Sequence, residues 1–264
     1  MDAYRFRQGR RPLLVSMPHV GTQVPQELAA RMTPEALRLP DTDWHLEELY
    51  DFLEELGAHV IVATQSRYLV DLNRDPAGRP LYPGASNTEL CPTSTFGEAP
   101  IYKDSAAPTA AEVAERRRRW WQPYHDKITA TLQELQAEHG QVLLWDAHSI
   151  RSRVPRFFEG QLPDLNLGTG GGITASPALL QAVARVGQRS GYSQAVDGRF
   201  KGGYITRHYG QPEQGVQAIQ LELSWATYME EDYPFRLLPE KASAIRPVLR
   251  RMMEAGMEAL GSAG

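Results

Sequence analysis

Cysteine is nearly absent from this chain: Cys91 is the only one in 264 residues. An internal disulfide framework is therefore excluded, and the composition suits a reducing, cytoplasmic setting. No run of about 18 apolar residues occurs, so no membrane-spanning helix is expected. An excess of positive charge is missing too. The formal net charge is -4, without the basic face that nucleic-acid binding requires. The first twelve residues, MDAYRFRQGRRP, are polar and basic and lack the apolar centre of a signal peptide. Internal repeats and low-complexity stretches are absent. What remains is an ordinary soluble composition, 42% hydrophobic and 23% charged, in a chain long enough for one large α/β domain or two small ones. Nothing marks a second domain, and residues 1–264 are read as one.

The chain is organised around VLLWDAHS at 142–149. Four apolar residues after Gly140 predict a buried central strand. Asp146 and His148 are two apart, so a strand turns both to the same face. Buried ionisable groups need partners, either loop backbone or a metal that takes imidazole and carboxylate together. Further strands are expected at 12–17 (PLLVSM), 59–64 (HVIVAT), 67–72 (RYLVDL) and 218–223 (AIQLEL). The first runs into Pro18-His19, which puts a histidine at a strand end, where open α/β sheets bind ligands. The third ends in Asn73-Arg74, a turn pair that can also grip carboxylate. Glu222 stands inside the last, facing the same way as Gln220 and Ser224. It is either an edge-strand surface residue or a catalytic base.

Helices are predicted at 45–57, with Leu46, Leu49, Leu53 and Leu56 on one face and Gly57 closing it, and over 109–138, kinked or divided by Pro123. Others are expected at 177–190, capped by Ser176, and at 239–260. A short helical piece is expected at 33–39 and a glycine-punctuated hairpin at 197–209. Residues 76–108 read as a long ordered loop, a kind that is often functional. Cys91 within it is structural. His125 and His139 are assigned to the surface, and Arg116 to Arg119 to a solvated basic face. Asp41, Asp43, His45 and Glu47 together are more polar than one helix cap needs. The Gly168–Gly172 stretch lacks the Gly-Lys-Ser/Thr ending of a phosphate loop, and close backbone approach to a site is the expectation there.

Reactive groups thus end several strands: His19, Asn73-Arg74, His148 and Glu222. Two histidines, a carboxylate and an open position form the catalytic zinc pattern. A glutamate outside the ligand set serves as base, and arginines orient an anionic substrate. The chain resembles the N-formylglutamate amidohydrolases (deformylases) of histidine degradation. The segments that carry this are SMPHVGTQVP (16–25), LPDTDWHLEELYDF (39–52), SRYLVDLNRDP (66–76), WWQPYH (120–125), WDAHSI (145–150), DLNLGT (164–169), GRFKGGYITRHYGQP (198–212) and IQLELSWATYM (219–229).

The resemblance implies a three-layer α/β/α sandwich with a mixed central sheet, of the zinc-carboxypeptidase (phosphorylase/hydrolase-like) kind. It also implies hydrolysis of N-formyl-L-glutamate to formate and L-glutamate. Related carboxypeptidases begin their metal site with His-x-x-Glu. Here Thr22 stands where that glutamate would be, so the carboxylate comes from elsewhere. Asp43 is the choice, ahead of His45 and Glu47. By resemblance His19, Asp43 and His148 hold Zn2+ or another divalent transition metal, and Glu222 is the general base. Asn73 and Arg74 bind substrate carboxylate and polarise the carbonyl, and Asp146 orients His148. Arg67, Arg74 and Arg207 are the candidate anchors for an acidic small-molecule substrate, with Lys201 and His208 behind them. A succinyl or acetyl substrate, a small carboxypeptidase activity, or a non-catalytic binder of acidic amino acids are the other readings. Oligomeric state is left open.

Overall fold

Alternation along three runs builds the sheet and its layers. Within 13–17, 142–149 and 216–223 the odd-numbered residues Leu13, Val15, Met17, Leu143, Trp145, Ala147, Ile219, Leu221 and Leu223 are apolar, whereas the even-numbered ones begin apolar and turn polar toward the carboxyl end. The computed structural model describes residues 2–81, 84, 86–104 and 106–261. Among these residues are seven strands: β1 (Tyr4–Arg7), β2 (Leu13–Met17), β3 (His59–Ala63), β4 (Val142–Ile150), β5 (Leu165–Gly168), β6 (Gln194–Val196) and β7 (Val216–Ser224). Their spatial order is β1-β3-β2-β4-β7-β5-β6. Strands β3, β2, β4 and β7 run parallel. β1 pairs antiparallel with β3, and β5 antiparallel with β7 while parallel to β6. The sheet is mixed, as expected.

The helices are α1 (Gln26–Arg31), α2 (Leu46–Leu49), α3 (Ala110–Arg116), α4 (Gln122–His139), α5 (Pro177–Gln188), α6 (Tyr204–Tyr209) and α7 (Pro239–Leu260). Leu13, Val15, Leu143, Trp145, Ile219 and Leu221 pack on one face with residues of α2, α5 and α7. Leu14, Ile61, Leu144 and Ala218 pack on the other with Leu28 of α1 and Tyr124, Ile128 and Leu132 of α4. The fold is an α/β/α sandwich. Helix α7 runs through Pro247. An internal proline costs about 3 kcal/mol. Burial of Ile245, Leu249, Met252 and Met253, at about 1.5–3 kcal/mol each, outweighs it.

Several expectations are corrected. RYLVDL is buried but forms no strand. Ser66 nucleates a turn, its hydroxyl accepting from Tyr68 N (3.2 Å) and its carbonyl from Leu69 N (2.9 Å). An apolar run shows burial, and only ladder partners make it a strand. The 45–57 helix buries its four leucines but breaks into α2 and a 3-10 turn, Asp51–Leu53. Arg246 of α7 takes the carbonyls of Glu48 (2.9 Å) and Leu49 (3.2 Å), which a continuing helix would need. The 33–39 piece is only a 3-10 turn over Ala36–Arg38. Residues 197–209 hold α6 rather than a hairpin. Strands β1, β5 and β6, of three or four residues each, were too short for a sequence signal.

Before Pro123 the long helix takes a π turn, Arg117–Trp121. Pro123 cannot donate its backbone hydrogen bond, and a wider turn accommodates that loss. Arg116 is buried there, bonding Leu69 O (3.1 Å) and Tyr102 OH (3.0 Å), so the solvated face is Arg117 to Arg119 only. His139 is exposed and Cys91 buried, as expected. Burial pushes the Cys91 thiol up to about 11. Among its described residues the 76–108 segment is a loop; residues 82, 83, 85 and 105 lie outside them.

Candidate metal centre and active-site cavity

The polar switch along the even-numbered residues places the site at the carboxyl ends of the parallel strands. Ser16 is in register with Asp146, Asp146 with Gln220, and His148 with Glu222. Strand β7 is interior, and Glu222 is buried, which removes the edge-strand reading. His19 follows β2, and its carbonyl accepts from Asp43 N at 3.0 Å, which draws the Asp-Thr-Asp segment alongside.

His19, Asp43 and His148 converge, all buried. The two Nδ1 atoms are 3.1 Å apart. Asp43 Oδ2 is 3.2 Å from His148 Nδ1 and 3.8 Å from His19 Nδ1. Ligands of a tetrahedral ion at bonds of about 2.0–2.1 Å stand about 3.3 Å apart, so these three fit one. The runners-up are elsewhere: Glu47 pairs with Arg5 on the surface, and His45 donates to Phe235 O (2.7 Å).

The outer nitrogens face carboxylates, the arrangement that turns the inner nitrogen toward a metal. His19 Nε2 donates to Asp71 Oδ1 at 2.7 Å, and His148 Nε2 lies 3.1 Å from Asp146 Oδ1. Burial, with Arg67 adding to it, lowers the His19 pKa to about 4, so this imidazole is neutral. Burial acts the same way on His148, but Asp146 and Asp43 outweigh it and hold its pKa well above the usual value. His19 Nδ1, Asp43 Oδ2 and His148 Nδ1 are therefore three electron-pair donors facing one another. A divalent cation satisfies the same donors. Burial would raise the Asp71 pKa, yet Arg74, His19 and Arg67 keep it well below the carboxylate range. Burial raises the Glu222 pKa to about 8. Gln220 Nε2 donates to Glu222 Oε2 (3.1 Å) and accepts from Gly203 N through Oε1 (2.7 Å).

A cleft opens over these residues. His19, His148 and Glu222 line its buried end, with Arg67, Asn73 and Arg74 beside them. The long loop contributes Leu81, Asn87, Thr88 and Phe96. Arg67 is buried, donating to Asp71 Oδ2 (2.7 Å) and lying over the Phe96 ring. Arg74 donates to Thr88 Oγ1 (2.7 Å). Asn73 accepts from Ile205 N (2.8 Å) and sets its amide nitrogen 3.0 Å from His148 Nε2. Arg207 is not brought to this cleft. It bonds Leu81 O (2.9 Å) and lines a separate hollow with Lys201 absent and His208 present. Arg199, which carried no individual signal beyond its basic segment, lines the cleft instead.

Other supports of the site leave no signal in the sequence. His125 is buried, stacked on Trp121 with ring centroids 3.7 Å apart, because positions four apart share a helix face and α6 covers it. It donates through Nε2 to Leu72 O (2.8 Å), while Trp121 donates to Arg74 O (3.1 Å). The two thus hold the backbone on either side of Asn73-Arg74. Burial lowers the His125 pKa from 6.5 to about 3. In that window the unfolded chain binds a proton here that the folded chain does not. Stability is therefore lost as pH falls through it, by about 1.4 kcal/mol per pH unit from this group. Urea unfolding of wild type and His125→Gln at about pH 7 and about pH 5 should show the gap between them narrowing at the lower pH.

The glycines act through close approach. A Cβ on Gly203 would meet the Asn73 amide nitrogen at 2.2 Å. Gly203→Ala is expected to fold, displace Asn73, and lower catalytic efficiency by about tenfold or more, since displacing a positioning group by about 1 Å can cost a hundredfold. Steady-state kinetics beside a thermal melt checks this. A Cβ on Gly168 would meet Gly202 N at 2.4 Å, so that glycine packs against the segment carrying Gly203. The loop after Gly168 holds a carboxylate of its own chain: Thr169 N (2.8 Å) and Gly171 N (3.2 Å) donate to Asp197.

An α/β/α sandwich with a two-histidine, one-carboxylate centre at the ends of its parallel strands defines the class: an α/β protein with a metal-competent site. The model of the N-formylglutamate amidohydrolase family matches residues 11–229. An N-formylglutamate deformylase of Pseudomonas aeruginosa is 51% identical, with 96% of each chain covered. One from Pseudomonas putida is 45% identical, over 95% of this chain and 94% of its own. The crystal structure of an N-formylglutamate amidohydrolase from Ralstonia eutropha superposes with a TM-score of 0.78 at 27% identity, covering 98% of this chain and 97% of that one. A gene product of Agrobacterium tumefaciens shares the fold at a TM-score of 0.76 and 16% identity. The chain belongs to the N-formylglutamate amidohydrolase family. No helix among the described residues is long and apolar enough to cross a membrane.

Proposed function

We propose that this chain is a cytoplasmic, single-domain, metal-dependent hydrolase that converts N-formyl-L-glutamate to formate and L-glutamate, as the last step of a histidine degradation route. The observation that carries the reading is the convergence of His19, Asp43 and His148 beside the buried Glu222, in a cleft lined by arginines. His19, Asp43 and His148 would hold the ion, and the nitrogen-rich donor set favours zinc, with other divalent transition metals as competitors. Bound there, zinc would lower the pKa of water and polarise a carbonyl. Glu222 takes the proton of the attacking water as oxygen bonds to the formyl carbon. Arg74 offsets the charge that develops on the carbonyl oxygen. When the C–N bond breaks, Glu222 returns the proton to the departing amine, and the products are formate and glutamate. Asn73 and Arg74 bind the α-carboxylate. Arg67 stands behind them, ion-paired with Asp71. Formate release by zinc-loaded protein from N-formyl-L-glutamate, run beside the N-acetyl and N-succinyl compounds, tests the reading. Release from the formyl substrate alone supports it. Release from a longer acyl group keeps the chemistry and replaces the substrate, and no release from any of them defeats it.

A further inference from the structure

Among the described residues three arginines line the cleft, Arg67, Arg74 and Arg199, and they are placed unevenly. Asp71 lies against two of them, 2.7 Å from Arg67 Nη2 and 3.9 Å from Arg74 Nη2. Both are anchored on the Asp71 side of the cleft, beside Asn73, where one substrate carboxylate is received. An acidic N-acyl amino acid brings two. The third arginine, Arg199, lies in a different part of the cleft wall. Its Nε donates to the Phe157 carbonyl, and its guanidinium lies 5.7 Å from the Phe157 ring centroid and 5.4 Å from that of Phe200. Contacts at these distances are within cation–π range and orient the planar group. Phe96 and Ile150 belong to the same apolar cluster. That surface suits the methylenes of a glutamate side chain, and its low polarity strengthens an ion pair made against it.

We propose that Arg199 is the specificity-determining residue that takes the side-chain carboxylate of the substrate. The site thereby selects acidic N-acyl amino acids over neutral ones. The inference rests on the deformylase reading and deepens it. Arg74 with Asn73 receives the α-carboxylate next to the reacting carbonyl, and Arg199 receives the distal one across the apolar wall. A guanidinium does this through two parallel hydrogen bonds, which an amide side chain in the substrate cannot match.

The test compares catalytic efficiency on N-formyl-L-glutamate and N-formyl-L-glutamine, which differ in charge but hardly in shape. Wild type should prefer the glutamate compound by at least about tenfold, the scale of a charge-assisted hydrogen bond. Arg199→Gln should abolish that preference by losing about tenfold to a hundredfold on the acidic substrate, with the neutral one changed little. Arg199→Met, which keeps an aliphatic stem over the two rings, reads the same ratio if the glutamine variant folds poorly. Arg207→Gln should leave the preference intact. A fall on both substrates together in the Arg199 variants would make its role structural and overturn the inference, as would an unchanged preference. Wild type that cleaves neither substrate defeats the deformylase reading and this inference with it. Wild type that cleaves both, with the preference unmoved in the variants, defeats the inference alone.

Discussion

Glu222→Gln is expected to lower turnover of N-formyl-L-glutamate by about a hundredfold to ten-thousandfold while leaving metal content and folding intact. The substitution keeps size and shape but removes the ability to accept a proton. Glu222 is buried on an interior strand, opposite His148 in register and within 3.1 Å of Gln220 Nε2. An amide at this position can still accept from Gln220. Burial favours the uncharged form here, and the amide is uncharged too, so the variant should melt no lower than wild type. Three measurements made together decide the matter: formate release, metal per chain and melting temperature. Loss of activity with the metal retained assigns proton transfer to Glu222. Retained deformylation removes it from that role.

His148→Ala is expected to act on both the ion and the fold. It deletes one of three donors, and the remaining pair, His19 and Asp43, cannot close the site. Wild type should gain stability from added zinc, about 2.7 kcal/mol when the ion is at a hundred times its dissociation constant. The variant should gain almost none. Its stability without added metal should fall as well. His148 lies between Asp43 at 3.2 Å and Asp146 at 3.1 Å. Without it two buried carboxylates lose the partner they share, and breaking one side of a buried pair costs about 3–5 kcal/mol. Denaturant unfolding with and without zinc separates the two effects. A variant that still responds to zinc like wild type would move the ion away from these three residues.

His148 and Glu222 were legible because each occupies a place where a strand pattern breaks. The even-numbered face of β4 passes from Val142 and Leu144 to Asp146 and His148, and that of β7 from Val216 and Ala218 to Gln220 and Glu222. A polar residue on a face that begins apolar has to be accommodated near a strand end, and four parallel strands bring such ends together. The choice of Asp43 over His45 and Glu47 came from resemblance, and the hydrogen bond from its backbone to His19 O explains the placement. Arg207 and Arg199 lie in one basic segment, where composition cannot tell them apart. Which of them reaches the cleft depends on α6, six residues that had no separate signal and were read as part of a hairpin. His125 was assigned to the surface because the helix stripe was drawn through Trp120 and Tyr124. The burial of Trp121 and the cover of α6 widen that stripe by one more position.

By itself the sequence determined four of the strands and the long closing helix, which depend on alternation and local spacing, and its motif segments carried the resemblance to the family. Only the tertiary structure decided where 67–72 runs, which arginines share the cleft, and which buried groups hold Asn73 and Arg74 in place. Those outcomes come from hydrogen bonds between segments far apart in sequence, such as Arg246 with Glu48 and Trp121 with Arg74. Such contacts leave no periodic trace, because each is made by a single pair of groups at one point in space.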